Sequence, residues 1–294
     1  MNFSTIAILS PGNMGGAVGG CLKIAGYDVI SCLVDRSEFT RRKATEAGFR
    51  DVQDMNVLVR EADLVLSILD PAKAVEIAEK TATALNETSA TTIFADCNAT
   101  SPATAEMLQG IIESAGGTFI DVGIIGGAPT RRENYPLFCA SGAEASLLDE
   151  LHGKGVKIEH IGLNIGQGSA IKICNGAYNK GAFALYTAVM LAAEHYGCTE
   201  FLRKRLPNSQ SSTVDRLDNA ILRLPSLSGR YIGEMEQVAE TFDGIGLTPK
   251  LHAGAADLFR LLNRSPLASE RREEIDPDRT VGDVLDTVLR SLTD

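Results

Sequence analysis

The chain has 294 residues, 44% of them hydrophobic and 22% charged, and a formal net charge of −10. That length allows two domains, each with its own core. The negative charge argues against nucleic-acid binding by bulk electrostatics. No run of about 18 apolar residues is present to span a membrane.

Thr5 to Ser10 is a short apolar, β-branched run, as expected of a strand buried on both faces. It leads into Pro11-Gly12-Asn13-Met14-Gly15-Gly16, where a helix is expected to open. Ala17, Val18, Cys21, Leu22 and Ala25 then form a helical apolar stripe. Val29 to Val34 reads as a second strand that closes at Asp35-Arg36. Strand, glycine turn, helix and strand in this order suit a dinucleotide pyrophosphate. Glycine lets the backbone approach it, and the helix N-terminus offers unpaired N–H groups. The fingerprint G-x-G-x-x-G is incomplete, because Ser10 stands at its first glycine.

Ser37-Glu38 can cap a helix through Ala47, and Asp54 to Ala62 suits a short helix. Leu64 to Leu69 is a third strand, followed by Asp70-Pro71 and a helix over Ala72 to Leu85. Thr91 to Ala95 is a fourth strand closing at Asp96. Ser101-Pro102 opens a helix that ends at Gly116-Gly117, and Thr118 to Val122 is a fifth strand. Leu137 to Ala140 and Val156 to Ile161 are expected to extend the sheet. Alternating strands and helices imply a mostly parallel, doubly wound sheet. Ligands gather at the carboxyl ends of such strands. Here those ends are Ser10, Asp35-Arg36, Leu69-Asp70-Pro71, Asp96-Cys97-Asn98 and Gly123 to Gly127.

Beyond Gly166 the pattern becomes helical. Ser169 to Tyr196 could form one long helix. Ser211 to Leu224, Tyr231 to Gly244, Pro249 to Leu262 and Val281 to Leu292 also read as helices. Glu270 to Arg279 reads as a solvated charged linker. The expected division is 1–165 for an α/β domain and 166–294 for an all-helical one. A strand begins almost at the N-terminus, so no signal peptide is expected, and the chain is expected to be cytoplasmic. The six cysteines contain no C-x-x-C pair and read as small buried hydrophobes in a reducing compartment. The four histidines have no metal-ligand spacing, so no metal is expected.

A dinucleotide site needs a proton carrier. Lys172, in Gly166-Gln167-Gly168-Ser169-Ala170-Ile171-Lys172, is a lysine in an apolar setting at the start of the long helix. Burial would lower its pKa toward working pH, and the two glycines would allow close approach to another backbone. Lys180, about 80° away around the helix, would lower it further. On these residues alone a lysine that snorkels to a domain surface is an equal alternative.

Four segments carry a resemblance. Gly12-Asn13-Met14-Gly15 resembles a G-x-G-x-M-G cofactor turn. Asp96 with Ser101-Pro102 resembles D-x-S-T-x-S-P, with Asn98-Ala99 in place of S-T. Asp121 with Gly126-Gly127 resembles D-x-P-V-S-G-G. Gly166-x-Gly168-x-x-x-Lys172-x-x-Asn175 resembles G-x-G-x-x-x-K-x-x-N-N. Together they resemble the β-hydroxyacid dehydrogenase superfamily, which includes 3-hydroxyisobutyrate and 6-phosphogluconate dehydrogenases. The chain looks nearest to a 6-phosphogluconate-dehydrogenase-like branch with a distinctive helical C-terminal domain. The resemblance implies a Rossmann-type NAD(P)-binding domain, an all-α C-terminal domain and a long interdomain helix. It implies hydride transfer between a nicotinamide and a small hydroxy acid or related alcohol, with Lys172 as general acid and base. Cofactor contacts are expected from Ser10, Gly12, Asn13, Met14, Gly15, Asp35, Arg36, Ser37, Leu69 and Asn98. Substrate contacts are expected from Ile125, Gly126, Gly127, Asn175, Asn179 and Glu234. A homodimer is expected, with the active site between domains or subunits.

Three positions depart from the pattern. Ile125 replaces the serine of S-G-G, Gly176 replaces the second asparagine of K-x-x-N-N, and Glu234 stands where a carboxylate-binding lysine is usual. The substrate is therefore expected to be neither 3-hydroxyisobutyrate nor 6-phosphogluconate. Tyr231 and His252 are further candidate contacts, and Arg131-Arg132 could hold an anionic group. Asp35 favours NAD, whereas Arg36-Ser37 with Arg41-Arg42 resembles an NADP-binding pattern; the balance leans to NADP, with NAD as the alternative. Two other functions remain. Relatives of this fold reduce C=N bonds, and Glu234 could pair with an iminium. A cofactor-binding sensor without turnover is the third.

Overall fold

Ile6 and Ile8 point to one side of the first strand and Ala7 and Leu9 to the other, and all four are buried. This two-sided burial is the property read from the unbroken apolar run, and the computed structural model shows its cause. The structure describes residues 3–129, 134–206, 211–271 and 274–291. Strand β1 (Thr5–Leu9) lies inside an eight-stranded sheet of order β3-β2-β1-β4-β5-β6-β7-β8. The other strands are β2 (Asp28–Cys32), β3 (Arg50–Val52), β4 (Leu64–Ser67), β5 (Ile93–Asp96), β6 (Thr118–Ile125), β7 (Leu137–Ser141) and β8 (Lys157–Gly162). Strands β1 to β6 pair in parallel, β7 runs antiparallel to β6, and β8 is parallel to β7.

Helix α1 (Asn13–Ile24) covers one face through Val18 and Leu22. Helices α3 (Met55–Glu61), α4 (Ala74–Thr88) and α5 (Pro102–Ser114) cover the other through Leu58, Ile77, Leu85, Leu108 and Ile112. Helix α2 (Glu38–Glu46) is opened by Ser37, whose hydroxyl accepts from Thr40 N. Asp54 and Ser101 cap α3 and α5 in the same way. The strand order reverses between β1 and β4, which places the binding crevice of such a sheet at their carboxyl ends.

The edge of the sheet differs from the sequence reading. Strand β3 is only three residues long, two of them exposed, so it carries too little apolar pattern to be read. Strand β2 stops at Cys32, and Asp35 lies in a left-handed turn (φ 57°) beyond it rather than at the strand end.

The described residues fall into two units, 1–173 and 174–294. Helix α6 (Gln167–His195) begins in the first and continues into the second. The second unit also holds α7 (Thr199–Arg205), α8 (Ser211–Ile221), α9 (Leu224–Gly244), α10 (Lys250–Asn263) and α11 (Val281–Arg290). Its core joins Met235 and Val238 of α9 to Ala256, Phe259 and Leu262 of α10, with Val284, Leu285 and Val288 of α11 also buried. Helix α9 starts seven residues before the expected Tyr231, at Leu224, because Pro225 lies in its first turn, where no N–H is needed. The charged segment 270–279 is not a plain solvated linker: Arg279 holds both carboxylate oxygens of Glu270, at 2.7 and 2.5 Å. Cys32, Cys97 and Cys139 are buried as expected, but Cys174 and Cys198 are exposed. Among the described residues no helix is long and apolar enough to cross a membrane.

Candidate active site

The turn after β1 is built for close approach. Ser10 adopts φ 59°, the left-handed conformation that favours glycine, so serine takes up the shape that the missing glycine of the fingerprint would have. Its carbonyl accepts from Gly12 N at 2.7 Å. Gly12 is the N-cap of α1, and no side chain caps the helix there. The first N–H groups of Asn13, Met14 and Gly15 are thus aimed at the carboxyl end of β1, as a pyrophosphate requires. A methyl group on Gly15 would stand 3.1 Å from Ile8 Cγ2, so glycine keeps α1 close to the strand. Met14 packs partly into the core instead of standing free.

A cleft of about 440 Å³ opens beside the end of β2, lined by Asp35, Arg36, Gln53, Met55, Lys73 and others. Arg36 is half-buried, and its Nε is buried with no hydrogen-bond partner among the described residues. Its carbonyl accepts from Arg41 Nε at 3.1 Å, which draws a second guanidinium to this turn. Asp35 is exposed. Ser37 is engaged as the α2 cap. An uncapped helix end, a glycine cradle and an orphaned guanidinium nitrogen fit a dinucleotide with an anionic group beside the second strand.

Leu69 and Asn98 have structural duties. Asn98 is buried; its Oδ1 accepts from Leu69 N at 2.6 Å, and its Nδ2 donates to Asp96 Oδ1 at 2.5 Å and Ser67 Oγ at 3.0 Å. It ties the ends of β4 and β5 together. Asp96 is pushed up to about 7, first by burial, against the Asn98 hydrogen bond and with the nearby Asp121 charge adding to the rise. Asp96 and Asp121 are direct neighbours across β5 and β6.

Lys172 sits at the far end of β6. It is half-buried, and its Nζ donates to the carbonyl oxygen of Ile124 at 2.5 Å. Two glycines bring the elements this close. A methyl group on Gly123 would stand 2.1 Å from Gly168 O and 3.1 Å from Lys172 Cβ. One on Gly168 would meet Cys139 O at 2.6 Å and Asp121 O at 2.8 Å. Ile125 ends β6, and Gly126 follows with φ 110°. Gly126 and Gly127 are exposed beyond it. Arg131 and Arg132 lie outside the described residues.

The remaining expected contacts belong to the helical unit. Asn175 is exposed; Asn179 Nδ2 donates to its backbone and side-chain oxygens at 2.9 and 3.2 Å. Arg216 donates to Asn179 Oδ1 at 2.9 Å. Glu234 forms a tight ion pair with Lys180 and a second with Arg230 at 3.2 Å. Lys180 also lies over the Tyr231 ring, 5.3 Å from its centroid, and a methyl group on Gly176 would be 3.4 Å from Lys180 Nζ. The lysine thus folds back over the place where the usual asparagine would project. His252 is buried edge-on to Phe242, 4.4 Å between ring centroids, with Nδ1 unpartnered among the described residues. It is a core residue, and burial lowers its pKa.

The sequence does not announce the buried polar cluster at the start of α6. Asp121, Ser141 and Ser169 are all fully buried, and both serine hydroxyls donate to the Asp121 carboxylate. In the sequence Asp121 reads only as part of a segment, because a buried acid on a strand announces no partner 48 residues away.

Comparison with known proteins agrees with this architecture. Residues 5–152 match the model of the NAD binding domain of 6-phosphogluconate dehydrogenase, and residues 193–262 match a domain of unknown function, DUF1932. An uncharacterised 28.5 kDa protein of Methanothermus fervidus is 29% identical over 183 residues, 62% of this chain and 68% of that protein. Mouse mitochondrial 3-hydroxyisobutyrate dehydrogenase is 25% identical over 174 residues, 58% of this chain; the chain spans about half, 51%, of that relative's length. The solved 3-hydroxyisobutyrate dehydrogenase of Mycobacterium tuberculosis with L-serine superposes with a TM-score of 0.69, at 20% identity, over 98% of this chain and 99% of that one.

Proposed function

The chain belongs to the β-hydroxyacid dehydrogenase superfamily, and from that premise we propose that it is an NAD(P)-dependent oxidoreductase acting on a small hydroxy acid or related alcohol and carbonyl. The observation that carries the reading is the Lys172 ammonium, held on Ile124 O at the carboxyl end of β6. It lies in the same unit as the uncapped N-terminus of α1. A bound nicotinamide dinucleotide supplies the hydride acceptor or donor. In oxidation, Lys172 as the free amine takes the hydroxyl proton; in reduction, its ammonium returns that proton to the carbonyl oxygen. Asn13, Met14 and Gly15 present backbone N–H groups to the pyrophosphate, and Gly12 lets the turn approach it. Gly126 and Gly127 leave room for substrate beside the strand end.

NADP is the proposed cofactor. The unpartnered Arg36 Nε and the exposed position of Asp35 support it over NAD. The substrate is proposed to differ from that of 3-hydroxyisobutyrate dehydrogenases, since Ile125, Gly176 and the paired Glu234 replace its polar contacts. Imine reduction is the alternative activity, although the carboxylate that could meet an iminium is engaged by Lys180 and Arg230. A homodimer is proposed through α6, where Tyr178, Leu185 and Tyr196 are 70, 67 and 80% exposed; the mass in solution tests it.

NADPH oxidation should be measured with a panel of short keto acids, aldehydes and cyclic imines, and NADP reduction with the matching hydroxy acids. Turnover of a keto acid or aldehyde, lowered by roughly 10²–10⁴ in Lys172→Ala with NADPH binding intact, is the expected result. Tight NADPH binding with no turnover across the panel would instead favour a sensor.

A further inference from the structure

We propose that Asp121 is a positioning residue for Lys172: its buried carboxylate fixes the register of α6 on β6 and so sets where the ammonium stands. The inference rests on the reading of Lys172 as the proton carrier.

A helix N-terminus leaves its first N–H groups without partners inside the helix. Usually a side chain just before the helix supplies one. Here the cap comes from the sheet. Asp121 Oδ2 accepts from Gly166 N at 2.9 Å, Ser169 N at 3.0 Å and Ser141 Oγ at 3.0 Å. Asp121 Oδ1 accepts from Ser169 Oγ at 2.6 Å. Gly168 N donates to Ser141 Oγ at 2.9 Å, and Ser141 is the direct cross-strand neighbour of Asp121. Four donors converge on one buried carboxylate, whose charge also suits the positive end of a 29-residue helix.

The geometry links this cap to the lysine. Three residues beyond Asp121 on β6 is Ile124; three residues beyond Ser169 on α6 is Lys172. The two segments are joined at one end by the Asp121 and Ser169 hydrogen bonds and at the other by Lys172 Nζ on Ile124 O. Between them Gly123 meets Gly168 with no room for a side chain. A slip of one residue at the cap would turn Lys172 by about 100° around the helix axis.

The substitutions can be ranked from this geometry. In Asp121→Asn the amide oxygen can take the place of Oδ2, and the amide nitrogen can donate to Ser169 Oγ if that hydroxyl rotates to accept. In Asp121→Ala the two backbone donors and both serine hydroxyls lose the acceptor together. The test is competitive acetylation with acetic anhydride across pH, read residue by residue by mass spectrometry, on the full chain with and without NADPH. An amine released from Ile124 O is more open to reagent. Asp121→Ala should therefore raise Lys172 labelling at pH 7 roughly tenfold. Lys43 and Lys157 should label as before, and Asp121→Asn should return Lys172 close to the wild-type curve. If Asp121→Ala does not fold, the Ser141→Ala, Ser169→Ala double variant takes its place, with the same expected direction. A Lys172 curve that superimposes on wild type in the folded variant would overturn the proposal. The readout needs no substrate, so it separates from the catalytic reading: Lys172→Ala with normal turnover would refute the latter alone.

Discussion

Gly123 and Gly168 meet so closely that a methyl group on the first would stand 2.1 Å from the carbonyl oxygen of the second. The strand and the start of the long helix touch backbone to backbone at this point, and Lys172 stands one turn further along the helix. The obstruction is a peptide carbonyl rather than the tip of a flexible side chain. Gly123→Ala should therefore cost on the order of 3 kcal/mol, at the upper end of overpacking in a dense core. Urea denaturation would measure it; a loss under 1 kcal/mol would mean that the junction can open.

The Arg36 guanidinium offers a test of cofactor choice. Its Nε is buried without a partner, an arrangement that an added phosphate would satisfy. A hydrogen bond to a charged group contributes about 1.5–3 kcal/mol, so Arg36→Gln should weaken NADPH binding by roughly 10- to 100-fold. NADH binding should change little. Titration calorimetry with both cofactors would decide, and equal losses for the two would place Arg36 away from the 2′-phosphate.

Asp96 should leave a mark on the pH dependence of stability. Burial raises its folded-state pKa from 3.8 to about 7. Below pH 3.8 the carboxyl is protonated in both states. As pH rises toward 7 the unfolded chain ionises while the folded one keeps its proton, so this group progressively destabilises the fold. At about 1.4 kcal/mol per unit the full effect is about 4 kcal/mol. Asp96→Asn, which can still accept from Asn98, should gain stability relative to wild type from pH 4 to 7. Parallel denaturation curves at pH 4.5 and 7.5 would show this; an unchanging difference between the two proteins would contradict it.

His252 acts in the opposite sense. Burial lowers its folded-state pKa below the ordinary 6.5. The stability it contributes as a neutral ring is present above pH 6.5 and is lost as pH falls through the folded value. His252→Phe should remove that loss, so wild type should weaken relative to the variant between pH 7 and 5. Thermal unfolding across that range is the measurement, and parallel curves would refute the assignment.

Local pattern sufficed for much of the fold. The unbroken run Thr5 to Leu9, the glycine turn after it and the caps at Ser37 and Ser101 are properties of neighbouring residues, and each appears where the sequence places it. The segment around Lys172 was legible for the same reason: two glycines and a lysine at fixed spacing. Strand β3 and helix α7 escaped notice because three and seven residues carry too few apolar positions to define a period.

Only the tertiary structure decided how the charged groups pair. Glu234 reads in sequence as an acid free for a ligand, yet Lys180 and Arg230 hold it. His252 reads as a candidate contact, yet it lies in the helical core. Asp121 reads as one acid in a strand, yet it caps a helix that begins 46 residues later. Periodicity and caps report interactions within a few residues along the chain. A carboxylate's partner is fixed by which backbones the fold brings within 3 Å, and no local pattern encodes that.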